Sequence, residues 1–322
     1  MVEKLQFLGV DAIIASPRMR ELFQQVRRAA QSPASILLLG ESGSGKEIVA
    51  RALHHYSARK ACPFVDLSCA ALPEELVESE LFGHERGAFS GAYAAKPGLL
   101  ELADKGSLFL DEIGALDTRL QSKLLRVLDT SAFFRLGAVK QTKADVRVIA
   151  ATNNSLLQSI EAGQFRADLY HRLAQITITV PPLRERPEDI AALAVHFLQQ
   201  QNPELRFASD AMVALYAYTW PGNIRELRNT VLRSALMTKG PLLHADDILF
   251  TPQIQRPEQH SYSNKGLEGL EVAMIRRALE DSSGNRQRAA DALGISRTSL
   301  SRKIRSYGLT LAPTPQRQRR TA

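Results

Sequence analysis

The sequence predicts an α/β protein. A three-layer domain on a largely parallel sheet comes first, then a helical domain, then a C-terminal all-α helix-turn-helix. Three observations carry this. Apolar runs of strand length alternate with helical patterns through the first half of the 322 residues. Past Pro181-Pro182 only helical patterns follow. The basic charge collects at one end: from Gly284 onward nine Lys/Arg face one Asp, giving +8, and the whole chain's +7 less this +8 leaves −1 for residues 1–283. That asymmetry points to nucleic acid at the C-terminus.

In chain order, Ser16-Pro17 reads as a helix cap and first helical residue, with Leu22, Val26 and Ala29 at helical spacing. Residues 35–39 (SILLL) read as a buried strand and 48–53 as a helix. A second strand is predicted at 63–68, a helix at 73–81, and a glycine-punctuated loop at 83–91. Residues 107–110 read as a buried strand ending in Asp111-Glu112. Apolar positions 116, 120, 124, 125 and 128 mark an amphipathic helix, and 146–151 a further strand ending at Thr152-Asn153. Helices are expected at 187–201, 208–219 and 223–239, with no strand between them. We place the boundaries at 1–182 for the α/β domain and 183–250 for the helical domain. A polar linker follows at 251–266, a helix-turn-helix domain at 267–310 and a disordered basic tail at 311–322.

Composition narrows the function classes. No apolar run approaches the roughly 20 residues of a membrane span, and the N-terminus has no signal-peptide pattern. Cys62 and Cys69 lack metal-site spacing, so a buried thiol is expected for each, in a reducing cytoplasm.

The chemistry centres on Gly40, Glu41, Ser42, Gly43, Ser44, Gly45, Lys46 and Glu47, between a strand and a helix. That context suits a phosphate-binding loop: glycines let successive N–H groups converge on phosphate oxygens, and Lys46 reaches the β- and γ-phosphates. One letter departs from the general motif, since Glu47 stands where a Ser or Thr hydroxyl would ligate Mg²⁺. Asp111 and Glu112 end a strand at the edge where open α/β sheets bind ligands. One carboxylate there can hold Mg²⁺ and the other can polarise a water; we assign the metal to Asp111. Asn153 can orient that water or sense the γ-phosphate, or simply form a turn. Arg166 and Arg172 lie six apart on a short helix, as surface ion pairs or as fingers inserted into a neighbour's site. Arg225 opens a helix from which it can touch the phosphates.

Seven stretches, GESGSGKE, ESELFGHERGAFSGA, GSLFLDEI, LLRVL, FRADLYHRL, PPLRERPEDI and WPGNIRELRN, run in order from Gly40 to Asn229, within a likeness that covers roughly residues 10–250. In these the chain resembles the bacterial enhancer-binding proteins, the AAA+ P-loop ATPases that activate RNA polymerase carrying sigma-54. In that family Glu follows the phosphate-loop Lys, so Glu47 fits. The resemblance implies ATP and Mg²⁺, an oligomeric ring, usually a hexamer, with ATP between subunits, Arg166 and Arg172 acting in trans, and Arg225 as second sensor. It implies that Gly87, Ala88, Phe89, Ser90, Gly91 and Ala92 form the loop that touches sigma-54. The residues alone show a glycine-flanked exposed ring; we expect Phe89 to be the contact, with Ser90 in place of the usual Thr. Ser68 stands where the family commonly has the Asn that restrains the catalytic Glu. We expect looser coupling between ATP turnover and target engagement.

Residues 284–304 carry a helix-turn-helix pattern. Ala289, Ala290, Leu293, Ile295, Leu300 and Ile304 form its apolar face, Gly294 the turn, and Ser296 the cap of the second helix. Arg297, Ser299, Arg302 and Lys303 project from that helix toward a DNA major groove. The segment resembles the Fis-type domain, in which the preceding helix, 267–279, pairs subunits. With the ATPase likeness starting within about the first 15 residues, we expect none of the family's usual N-terminal sensory domain, and expect control from a separate regulatory protein or from expression level. The leading expectation is therefore an ATP-driven activator bound to upstream double-stranded DNA. An AAA+ remodeller of another target is opposed by loop 87–92, and a repressor with a spent ATPase site by the intact Lys46, Asp111, Glu112, Arg166 and Arg172.

Overall fold

The computed structural model describes residues 2–153, 155–238, 240–250, 275, 278, 279, 282 and 285–307. The expected linker at 251–266, the tail at 311–322 and most of the helix at 267–279 lie outside them. The chain forms two compact units, 1–251 and 252–322.

In the first unit a hairpin, β1 (Glu3–Phe7) and β2 (Val10–Ile14), leads into α1 (Pro17–Ala30). Then come β3 (Ile36–Leu39), α2 (Lys46–His55), β4 (Phe64–Ser68) and α3 (Glu74–Phe82). A short ladder of β5 (Gly83–His84) with β6 (Lys96–Pro97) precedes α4 (Leu99–Leu102) and β7 (Ser107–Asp111). Next are α5 (Thr118–Thr130), the hairpin β8 (Ala132–Phe134) and β9 (Gln141–Lys143), β10 (Arg147–Thr152), α6 (Leu156–Glu161), α7 (Ala167–Leu173) and β11 (Ile176–Thr179). The central sheet runs β11-β3-β10-β7-β4, and every pairing in it is parallel.

Strand alternation sorts the side chains into two cores. Leu37, Leu108, Leu110, Val148 and Ala150 meet α3, α5 and α7 on one face. Ile36, Leu38, Phe109, Ile149 and Ile178 meet α1, α2 and the first hairpin on the other. Those are the three layers. The order of strands sets β10 between β3 and β7. The phosphate loop, Asn153 and the acidic pair therefore leave the sheet side by side, at its carboxyl edge.

The lid is built from α8 (Pro187–Gln201), α9 (Ser209–Ala217) and α10 (Asn223–Met237) around the fully buried Trp220. The Trp220 indole donates to the Leu215 carbonyl at 2.9 Å. One expectation needs correcting: a strand, β12 (Arg206–Phe207), lies between α8 and α9 and pairs with β13 (Leu242–Leu243) beyond α10. Two residues are too few to show a period of two. This helical domain, the lid, is joined to the start of α1 through Asp189, fully buried, which accepts from Ala15 N, Ser16 N and Ser16 Oγ at 2.7, 2.7 and 3.0 Å. Cys69 is buried as expected, but Cys62 is only half-buried.

In the second unit, helices Arg286–Ala292 and Arg297–Ser306 are joined by a turn at Gly294, whose φ of +66° suits glycine. Ala289, Ala290, Leu300 and Ile304 pack with Ile275, Ala278 and Leu279. Asn285 and Ser296 cap the two helices.

Candidate functional site

The apolar run of β3 ends where Gly40 N donates to the Thr152 carbonyl at 3.3 Å, and the chain then wraps into the loop. Gly43 and Gly45 hold φ of +74° and +105°, which L-residues reach only with strain. α2 begins at Lys46, so its free N–H groups open onto the loop. Lys46 Nζ donates to the Gly40 and Glu41 carbonyls at 2.8 and 3.3 Å, and burial lowers its pKa, opposed by Glu112 and Asp111. Ser44 Oγ is buried and unpartnered among the described residues, an orphan donor within the loop itself.

A cleft of about 350 Å³ joins these parts. Ser42, Gly43, Ser44, Gly45, Lys46, Glu47, Asp111, Glu112, Arg186 and Arg225 line its polar end. Val10, Ile13, Phe23, Leu193 and Phe197 line an apolar end, between the first hairpin and the lid. A charged phosphate chain at one end and a flat apolar base at the other fit this division.

Asp111 Oδ1 accepts from the backbone N of Glu112 at 3.0 Å. Glu112 itself adopts φ of +53°, a left-handed conformation that is uncommon for a non-glycine residue. Its Oε2 accepts from Asn153 N at 3.3 Å. Ser68 stands opposite Asp111 in the β4–β7 ladder. Glu47 is turned to Arg51, which donates two hydrogen bonds to it at 2.9 and 2.7 Å. Arg225 reaches the loop from α10, its Nη1 donating to Ser42 Oγ at 2.8 Å.

Arg166 and Arg172 do not line this cleft. Arg166 precedes the first residue of α7 and pairs with Asp168 at 2.7 Å, while Arg172 pairs with Asp129 at 3.2 Å. Both pairs are largely exposed. The 87–92 loop is closed at its base, where Gly87 N donates to the Ala92 carbonyl at 2.8 Å. Phe89 stays 43% exposed, its ring edge-on to His84 at 5.0 Å. Tyr93, at 89%, is exposed beside it and was not singled out from sequence. In the second unit Arg297 and Arg302 are exposed on the outer side of their helix, joined by Thr298 and Arg305. Lys303 is half-buried, and the Ser299 hydroxyl lies in the cap, 2.9 Å from Ser296 Oγ.

Sequence reasoning missed Arg184, Arg186 and Asn223. All three bond to the phosphate loop. The charge density of PPLRERPEDI was the available signal for Arg184 and Arg186, and Asn223 stands in the matched stretch WPGNIRELRN.

Residues 12–179 match the sigma-54 interaction domain, 184–265 the AAA+ ATPase lid domain and 266–307 the bacterial regulatory protein Fis family. Regulatory protein AtoC of Escherichia coli K12 is 44% identical over 310 residues, covering 91% of this chain and 67% of AtoC. Nitrogen fixation protein AnfA of Azotobacter vinelandii is 41% identical, covering 95% of this chain and 59% of its own length. The DNA-binding transcriptional regulator NtrC of E. coli K12 is 41% identical, covering 93% and 70%. This chain thus spans about six to seven tenths of these relatives. Crystal structures of NtrX from Brucella abortus with ADP and with ATP each superpose with a TM-score of 0.68 at 36% identity, over 92% of this chain and 69–70% of NtrX. With its loop, acidic pair, lid and helix-turn-helix accounted for, the chain belongs to the AAA+ family of sigma-54-dependent transcriptional activators.

Proposed function

We propose that this chain hydrolyses ATP to activate transcription by RNA polymerase carrying sigma-54, from DNA bound by its Fis-type helices. One observation carries the reading. A single cleft gathers the phosphate loop, the strand-end Asp111-Glu112 and the lid's Arg225, while Phe89 is presented outside it. The ATP-bound NtrX structure supports the nucleotide. The donors fit Mg²⁺ held by Asp111 together with phosphate oxygens, since Glu47 is engaged by Arg51. Bound there, the ion would neutralise charge on the β- and γ-phosphates.

Each residue then has a part. Loop N–H groups and Lys46 bind the phosphates. Glu112 orients the attacking water and accepts its proton as the bond from phosphorus to the ADP oxygen breaks. Asn153 positions Glu112 through its backbone N. Arg225 reports the phosphate state to the lid. Arg166 and Arg172 act on a neighbouring subunit in a ring. Their ion pairs are exposed, so they open at little cost and transfer to a phosphate is cheap. The stroke is delivered by the 87–92 loop, with Phe89 as its contact and Ser90 supplying a hydroxyl.

The domains follow the boundaries given above, with 1–182 and 183–250 forming the motor and 267–310 binding DNA. Arg297, Ser299, Arg302 and Lys303 make DNA contacts; a basic helix gripping phosphates predicts affinity that falls steeply with salt. Ser68 holds Glu112 less firmly than an Asn would. Steady-state ATP hydrolysis by wild type and Lys46→Ala, measured against protein concentration, tests the motor. Turnover should rise with assembly and vanish in the variant; equal turnover in both would overturn the reading.

A further inference from the structure

Four consecutive residues of the phosphate loop each present a hydrogen-bond acceptor to the lid side of the cleft. The Glu41 carboxylate takes a fork from Arg184, at 2.9 and 2.6 Å, and a third bond from Asn223 Nδ2 at 3.0 Å. The Ser42 carbonyl accepts from Asn223 Nδ2 at 3.1 Å. The Gly43 carbonyl accepts from Ile224 N at 3.0 Å, and the Ser44 carbonyl from Arg186. This pattern has a physical cause. A loop that turns successive N–H groups inward to an anion turns its carbonyls outward. Outward carbonyls packed against protein need donors, and here the segment from 183 to 225 supplies them.

The donors are themselves fixed. Asn223 is fully buried, and its Oδ1 accepts from Leu183 N at 2.7 Å. Arg186 is 2% exposed and lies 3.7 Å from Asp189, the residue that also grips Ser16. The Arg184–Glu41 pair differs, since both side chains are more than 40% exposed, so it can open without leaving a buried charge.

We propose that Arg184, Arg186 and Asn223 are positioning residues that hold residues 41–44 in the phosphate-binding shape, so that lid position sets nucleotide affinity. The inference rests on the cleft being the nucleotide site. These residues act through the loop's carbonyls and the Glu41 carboxylate. Loss of that pre-organisation weakens ground and transition states alike, so it shows in KM and leaves kcat nearly in place.

The test uses the full chain, a fluorescent ATP analogue for Kd, ATP turnover for KM and kcat, and a thermal melt. Variants are Arg184→Gln, Arg184→Lys, Glu41→Ala and the double variant Arg184→Gln/Glu41→Ala. Exposure of this pair keeps the fold out of the comparison. Arg184→Gln should raise Kd and KM about three- to fivefold, the range of an exposed fork, with kcat within about twofold. Lys should restore part of the loss, and the double variant should be no worse than the poorer single one. Unchanged Kd in both single variants, fully additive losses, or a fall in kcat at constant Kd would overturn the proposal. If wild type takes up no nucleotide, the reading of the cleft fails with it; if wild type binds and the variants bind equally, the positioning role alone fails.

Discussion

Gly43→Ala is a one-carbon change with a large expected effect. Gly43 sits at φ +74°, where an L-residue is disfavoured by roughly 1–2 kcal/mol. The added Cβ would lie 2.5 Å from the Gly222 carbonyl and 3.0 Å from Arg225 Cβ. A backbone oxygen cannot swing away as a side chain can, so the start of α10 must move off the loop. That movement breaks the Ile224 N to Gly43 bond at 3.0 Å and the Arg225 to Ser42 bond at 2.8 Å. At about 1 kcal/mol net for each, the total is roughly 3–4 kcal/mol. Borne entirely by the nucleotide complex, this is a loss of about 100-fold or more in affinity. Gly163→Ala is the control: its φ is +70°, yet a Cβ there meets nothing within 4 Å. It should lower Tm by roughly 2–8 °C, which is 1–2 kcal/mol for a unit of this size, and leave ATP affinity alone. Calorimetric titration with ATP and a thermal melt of both variants decide the matter. ATP binding by Gly43→Ala within about threefold of wild type would refute the close-approach argument.

Four further predictions concern the motor, its output and pH. Glu112→Gln can still accept from Asn153 N, so it should bind ATP normally but hydrolyse it about 100-fold or more slowly; preserved turnover would remove Glu112 from the chemistry. Phe89→Ala should lose transcript yield and capture of sigma-54, whereas Ser68→Asn should show lower basal ATP turnover; wild-type values from either variant would count against the assigned role. Burial holds the His54 imidazole below its ordinary pKa, and its Nδ1 lies 3.0 Å from Ser107 Oγ. The unfolded chain then takes up the proton first as pH falls through about 6.5, so stability should be full above that pH and decline below it. Urea midpoints at pH 7.5 and 5.5 should fall further for wild type than for His54→Asn; equal falls would contradict this sign.

Local chemistry made the site's frame legible. A run such as ILLL before a glycine-rich turn, or SLFL before Asp111-Glu112, advertises a buried strand whose end carries function. β11 was missed although its ITIT pattern alternates, because four residues carry little periodic signal. The β1–β2 hairpin was missed for a related reason: its turn rests on Leu8 and Gly9 at φ +49° and +80°, and leucine is not a turn residue. The bonds from Arg184, Arg186 and Asn223 to the loop span 142 to 182 positions, and no local pattern encodes a partner so far away. Arg166 and Arg172 were visible as residues, but in the single chain they pair with Asp168 and Asp129, and their proposed place in a neighbour's site belongs to the assembly.

The most direct test is promoter opening itself. Purified chain, RNA polymerase with sigma-54 and a promoter carrying an upstream site are combined with ATP or with a non-hydrolysable analogue, and melted DNA is read by permanganate footprinting. The account predicts melting with ATP, none with the analogue, and none with Lys46→Ala. Melting with the analogue, or a closed promoter in the presence of ATP and assembled wild-type protein, would contradict it.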